Sequence, residues 1–144
     1  MAPLRVLIVD DEAELVSALV ERLNLRGFQA RGVTAGDKAL EILREEPCDV
    51  VLLDVKMPGL GGLEVIRGIK EEHPSLEVIL LTGHGSVKDV EEGMALGAFD
   101  YLMKPVKIDR LVEILSAAGG RTENGSREGG DEAEPGTKEE EGSP

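Results

Sequence analysis

A chain of 144 residues suits one domain with an appendage, and its formal net charge of −13 argues against nucleic acid or an anionic membrane as a direct partner. With no Trp, one Tyr and two Phe the core must be aliphatic, and it offers no aromatic platform for single-stranded nucleic acid. Cys48 is alone, which excludes an intrachain disulfide framework and suits a reducing compartment; the opening MAPLRVLIVDDE has an apolar run too short for a membrane span and no small-residue cleavage site, so a cytoplasmic protein is expected.

In chain order, Leu4–Val9 reads as a continuous apolar strand ending on Asp10 and Asp11. A helix is expected over Glu12–Arg26, with Leu15, Leu19 and Leu23 on one stripe and Gly27 closing it. Phe28–Val33 reads as a short strand, and Thr34 with Asp37 as a capping box for a helix to about Glu46. Val50–Asp54 is a second apolar strand, followed by a Met57-Pro58-Gly59 turn and a helix that His73-Pro74 stops. Glu77–Thr82 is the next strand, Ser86 with Asp89 a capping box for a helix to about Leu96, Phe99–Lys104 the last strand, and Ile108 to Ala118 the last helix. Near-continuous Val/Ile/Leu strands alternating with amphipathic helices imply a parallel sheet covered on both faces. Five β-α units are too few for an eight-fold barrel, so the expected fold is an α/β doubly wound, flavodoxin-like five-stranded sheet of order 2-1-3-4-5, in a single domain over residues 1–118. Residues 119–144 carry eight acids against three bases and no apolar residue larger than Ala133, so a disordered acidic tail is expected from Gly119.

Functional groups of such a sheet gather at the carboxyl ends of the strands. Here those ends carry Asp10 and Asp11, Asp54, Thr82 and Lys104. Singly each has an ordinary reading, and Asp11 in particular can be a helix N-cap. Jointly, carboxylates packed together repel unless a cation lies between them. An oxygen-only donor set of modest number suits Mg²⁺, while Lys104 and Thr82 supply an ammonium and a hydroxyl for a phosphate. These are the parts of a phosphoryl-transfer site, and Asp54 is the best-placed nucleophile.

The stretches VLIVDDE, VVLLDVKMPGLGGLEVI, VILLTGHGS and GAFDYLMKP, in this order and spacing, resemble the receiver domain of bacterial two-component response regulators over about Ala2 to Ala118. The resemblance implies that Asp54 accepts a phosphoryl group from a sensor histidine kinase or a phosphotransfer protein, and that Mg²⁺ is held by Asp10, Asp11, Asp54 and the backbone carbonyl of Lys56. It implies that Thr82 and Lys104 bind the phosphoryl oxygens, that Thr82 and Tyr101 form the switch, and that the Lys104–Pro105 bond is cis. It also implies an output surface for a downstream protein over residues 86–118. Only self-phosphorylation and autodephosphorylation are then expected as chemistry, rather than an enzyme's turnover. Gly61, where a capping side chain is common, implies a looser start to the third helix; Lys107 stands in place of an acidic cap and Val106 in place of a frequent Phe.

The resemblance also implies that Lys56 and His84, each two residues past a site position, stand at family-variable positions that commonly flank the path of attacking water. Lys56 is expected either to hold the acyl phosphate and slow its hydrolysis or to point into solvent. Cys48 reads as a small buried hydrophobe and His73 as a helix-end residue. Two other classes share the ingredients. A Mg-dependent aspartate-nucleophile phosphatase or hydrolase would want a second acid two residues after Asp54, where Lys56 stands; a flavin carrier would want a phosphate loop where Asp10-Asp11-Glu12 would repel one. No effector module is visible after Ala118, so a stand-alone regulator is expected, although the fourth-strand region also looks like receivers attached to ATPase transcription regulators, in which case this is the receiver part of a larger protein.

Overall fold

The computed structural model describes residues 3–83 and 86–128, with side chains described up to residue 120. Five strands, β1 (Arg5–Val9), β2 (Gln29–Val33), β3 (Val50–Asp54), β4 (Glu77–Thr82) and β5 (Asp100–Met103), alternate with helices α1 (Ala13–Leu25), α2 (Gly36–Glu45), α3 (Gly62–Glu72), α4 (Val87–Ala95) and α5 (Ile108–Glu128). All strand pairs are parallel and the order is β2-β1-β3-β4-β5, as expected.

The central strands are apolar throughout because both their faces are covered. Successive side chains alternate between faces. On one, Val6, Ile8, Val50, Leu52, Ile79 and Leu81 pack with Leu19 and Leu23 of α1 and Leu111 and Leu115 of α5. On the other, Leu7, Val9, Val51, Leu53, Val78 and Leu80 pack with Leu43 of α2 and Val65, Ile66 and Ile69 of α3. α4 is held differently. Within it only Gly93 is buried, lying against the side chain of Leu80, whereas α3 buries Gly62, Val65, Ile66 and Ile69. Little apolar burial makes α4 the helix that moves at least cost.

Helix starts depart from the sequence patterns. The N-cap of α1 is Glu12, and its N–H donates to Asp10 Oδ1 at 2.9 Å, so Asp10 does the capping work and the exposed Asp11 does not. α2 begins one residue later than its pattern, with Ala35 at the N-cap, so Thr34 and Asp37 cannot form a box; Asp37 instead accepts from the N–H of Lys38. Ser86 does cap α4 by position but makes no side-chain cap bond, and Asp89 is drawn to Lys56. α3 starts firmly on Gly61, because Glu64 Oε1 reaches back to accept the Gly61 N–H at 3.0 Å. Gly27 (φ 91°) and Gly59 (φ 74°) take the left-handed conformations that their turns require.

At the amino edge of the sheet Arg5 clamps Asp49 through both side-chain oxygens, with Nε at 3.0 Å and Nη2 at 2.9 Å. Burial works against the Asp49 charge, but the hydrogen bonds from Arg5 prevail and hold its carboxyl below the usual range. A lowered folded-state value means stability present above the ordinary carboxylate range and lost as pH falls through it. Asp49→Asn is therefore expected to cost about 1 kcal/mol at pH 7, the wild-type advantage vanishing in acid, as urea unfolding at pH 7 and pH 3 would read. Beside it, burial pushes the Cys48 thiol up to about 11, which makes it inert.

The last helix continues past the expected end at Ala118 to Glu128. Gly119 passes the side chain of Leu4 so closely that a Cβ there would lie 2.4 Å from Leu4 Cδ1; the glycine permits helix-to-strand contact rather than ending the helix. The remainder of the expected acidic tail, 129–144, lies outside the described residues.

Candidate functional site

β1 and β3 lie side by side with Val9 opposite Leu53, so the next residues, Asp10 and Asp54, leave the sheet at the same edge. Asp54 is paired in register with Leu81, and Thr82 with Met103, which brings the ends of β4 and β5 to that edge as well. The Lys104 N–H donates to the Thr82 carbonyl at 2.8 Å, aligning the chain after β5, and the Lys104–Pro105 peptide is cis.

Asp10 is fully buried, Asp54 is 4% and Thr82 3% exposed, and Asp11 faces solvent. Carboxylate oxygens of Asp10, Asp11 and Asp54 lie within 4.8 Å of one another. Lys104 Nζ sits 2.9 Å from Glu12 Oε1, 3.0 Å from Asp10 Oδ2 and 3.6 Å from Asp54 Oδ2. The ammonium is therefore shared among three acids and is farthest from Asp54. Asp10 Oδ1 is satisfied by the Glu12 N–H, but Asp10 Oδ2, although buried, accepts no aligned hydrogen bond and has only the ion-pair approach of Lys104. Asp54 Oδ1 accepts the Lys56 N–H at 3.2 Å, and Thr82 Oγ1 donates to the Gly83 carbonyl at 3.2 Å.

Burial, together with the charges of Asp10 and Asp11, pushes the Asp54 carboxyl up to about 6, against the opposing Lys56 N–H and Lys104. Lys104 is driven well above the usual lysine range: burial alone would lower it, but Glu12, Asp10 and Asp54 outweigh that. Three carboxylates around one ammonium, with Asp11 close to two of them, leave a local surplus of negative charge.

Asp10, Asp11, Asp54 and Lys104 are thus brought together at one edge, with Thr82 ending the strand between Asp54 and Lys104. Tyr101 lies on β5 and is 44% exposed. The Lys56 amide touches Asp54, while its ammonium turns away to Asp89 Oδ2 at 3.3 Å. His84 lies outside the described residues. Glu12, as the closest partner of Lys104, and Asp89, as the partner of Lys56, are the residues that sequence reasoning passes over. Both read as ordinary helix-start acids, and their lysines lie far away in sequence.

A five-stranded parallel sheet of this order, with acids after β1 and on β3, a hydroxyl ending β4 and a lysine after β5, defines the receiver class of α/β domain. The response regulator receiver domain family matches residues 6–116, and the chain belongs to that family. An NtrX-like response regulator of Rickettsia conorii is 36% identical over 120 residues, which cover 82% of this chain and 25% of that protein. The receiver domain protein of Clostridium thermocellum is 34% identical with a TM-score of 0.80, covering 83% of this chain and 97% of its own. The receiver domain of NtrX from Brucella abortus is 32% identical with a TM-score of 0.76, covering 80% and 98%. The chain spans about a quarter of the length of the curated relatives it matches first. It is a receiver domain of two-component response regulators, related to the NtrX and NtrC regulators, and receiver domains interact with histidine kinases. Among the described residues no helix is long and apolar enough to cross a membrane.

Proposed function

We propose that Asp54 accepts a phosphoryl group from the phosphohistidine of a sensor histidine kinase or phosphotransfer protein in a Mg²⁺-dependent reaction, and that the resulting aspartyl phosphate switches a protein-binding surface. The observation that carries this reading is the buried Asp54 carboxylate at the end of the central strand, with Lys104 Nζ 3.6 Å away and two further acids beside it. A buried Asp10 oxygen whose close partner is the Lys104 ammonium alone, three carboxylates within 4.8 Å and an all-oxygen donor set fit a hard divalent cation. Asp10, Asp11, Asp54 and the Lys56 carbonyl would hold it. Bound there, Mg²⁺ supplies charge neutralisation for the phosphoryl oxygens.

An Asp54 carboxylate oxygen attacks phosphorus, the P–N bond to the donor imidazole breaks, and its electron pair stays on the nitrogen, which takes up a proton from solvent. Lys104 leaves Glu12 and Asp10 for the phosphoryl oxygens, to which the stronger negative charge attracts it. The Thr82 hydroxyl rotates from the Gly83 carbonyl to donate to a phosphoryl oxygen, and Tyr101 turns inward from its exposed position on β5. The affected surface runs over residues 86–118, where Val87, Met94, Tyr101 and Met103 are exposed apolar side chains suited to a downstream protein. Water later attacks phosphorus, the bond to Asp54 breaks, and phosphate leaves. The domain's chemistry is then confined to its own phosphorylation and dephosphorylation, in the cytoplasm, without direct binding of nucleic acid or membrane. Against the hydrolase reading, the position two after Asp54 is a lysine directed at α4.

Incubation with acetyl phosphate tests this. With Mg²⁺ the intact mass is expected to rise by one phosphoryl group; with chelator it is expected to stay unchanged. Equal labelling in both would defeat the proposed metal dependence.

A further inference from the structure

The Lys56 side chain and α4 are joined by a contact that the phosphoryl chemistry above does not use. The Lys56 N–H donates to Asp54 Oδ1 at 3.2 Å, so the chain at Lys56 runs along the proposed acceptor. Its ammonium nevertheless lies 3.3 Å from Asp89 Oδ2, in the first turn of α4. Asp89 is only 26% exposed as a side chain and makes no box with Ser86; its carboxylate is committed to the lysine. α4 has almost no apolar anchorage of its own, since Gly93 is its one buried residue within Val87–Ala95. The ion pair is thus a tether between the β3–α3 connection and a weakly packed helix.

We propose that Asp89 is a positioning residue for the phosphoryl group: it competes with the aspartyl phosphate for Lys56 and so sets how long the phosphoryl group survives. The inference rests on Asp54 being the acceptor. Phosphorylation places a dianion beside the residue whose amide already touches Asp54. The lysine stem is long and flexible, so its ammonium can change partners without backbone movement. In the unphosphorylated protein Asp89 is its partner. In the phosphorylated protein Asp89 and the phosphoryl group, which Lys104 and the bound cation already neutralise in part, compete for the Lys56 ammonium, which divides its time between them. When Lys56 lies over the phosphoryl group it obstructs the in-line approach of water, and hydrolysis is slow. When it returns to Asp89 the approach is open. The same exchange leaves Asp89 without its partner and releases the first turn of α4, which couples phosphoryl lifetime to the freedom of that helix.

The test is a double-mutant cycle on the full chain, labelled with acetyl phosphate and Mg²⁺ and followed by intact mass after the donor is removed. Asp89→Asn frees Lys56 for the phosphoryl group and is expected to slow its loss by roughly two- to fivefold, the rate equivalent of one exposed ion pair. Lys56→Ala is expected to speed the loss, and Asp89→Asn added to it is expected to change nothing further. Asp89→Glu, which keeps the charge, is expected to retain the wild-type lifetime. An unchanged lifetime in Asp89→Asn overturns the proposal, as does the same slowing in the Lys56→Ala background, because Asp89 would then act without the lysine. Peptide mapping of the label comes first. A label on another residue, or no label, overturns the Asp54 reading itself; a label on Asp54 with no coupling overturns only the role of Asp89.

Discussion

Replacing Asp54 with asparagine is expected to abolish uptake of a phosphoryl group from acetyl phosphate and, without divalent cation, to stabilise the fold. The amide keeps the shape of the side chain and an oxygen to accept the Lys56 N–H, but it loses the anionic nucleophile. The stability gain follows from the sign of the shift. Burial first, and the charges of Asp10 and Asp11 with it, lift the Asp54 carboxyl from 3.8 to about 6. The folded protein therefore holds the proton more tightly than the unfolded chain. This group's contribution to stability falls as pH rises between those two values and is fully unfavourable by pH 7. A shift of this size corresponds at most to about 3 kcal/mol, and the exposed Asp11 beside it is screened by solvent, so about 1–2 kcal/mol is expected. Urea unfolding with chelator present should show the variant more stable at pH 7 and equal to wild type near pH 3. A variant less stable than wild type at pH 7 would mean that Lys104 outweighs burial and repulsion at this position.

Gly62→Ala is expected to damage both the fold and the site. Gly62 is buried as the first residue of α3, and a Cβ there would lie 2.4 Å from the Asp54 carbonyl oxygen and 2.6 Å from Val55 Cα. Both neighbours are backbone and cannot rotate away, so either α3 or the end of β3 must shift. Overpacking of this kind costs about 3 kcal/mol, against about 1 kcal/mol gained from alanine's helix propensity. A net loss of about 2 kcal/mol and a fall in Tm of roughly 5–10 °C are expected. The same shift displaces Asp54 from Lys104 and its neighbouring acids, so labelling by acetyl phosphate should slow by roughly tenfold or more. Gly61→Ala is the control: its Cβ would meet only Glu64 Oε1 at 3.8 Å, and near-wild-type melting and labelling are expected. If Gly62→Ala melts with wild type, the close approach of α3 to β3 does not constrain the site.

Much of this architecture is visible in the sequence, for identifiable reasons. Val50–Asp54 is apolar up to its last residue because both faces are covered, and that pattern alone marks a central parallel strand. Once the strands are placed in order, Asp10, Asp11, Asp54 and Lys104 have to meet, because each stands at a carboxyl end. The helix caps were less legible. Thr34 with Asp37 and Ser86 with Asp89 both match a local capping pattern, but Asp89 is claimed by Lys56 across the domain, and α2 starts where Asp37 is out of position. Such competition depends on which loops the fold brings together, and spacing within one segment does not carry it. Glu12 illustrates the same limit: its bond to Lys104 joins residues 92 apart in the chain. The composition from Gly119 onward reads as a disordered tail, whereas in space Gly119 is the small residue that lets α5 cross Leu4. The roles of Asp10 and Asp11 also divide differently from the simplest reading. Asp10 is both the buried partner of Lys104 and the group that accepts the first N–H of the helix start, so neutralising it with asparagine preserves that bond and alanine does not.

The proposed role of the sheet edge is to place one carboxylate, Asp54, for phosphoryl transfer. Borohydride reduction reads this directly, since it converts an aspartyl phosphate to homoserine and leaves a free aspartate intact. After labelling with acetyl phosphate and Mg²⁺, reduction and peptide mapping should find homoserine at position 54 and nowhere else. Homoserine at position 10 or 11 with Asp54 intact, or a phosphoryl group that resists reduction because it sits on another residue type, would contradict the account.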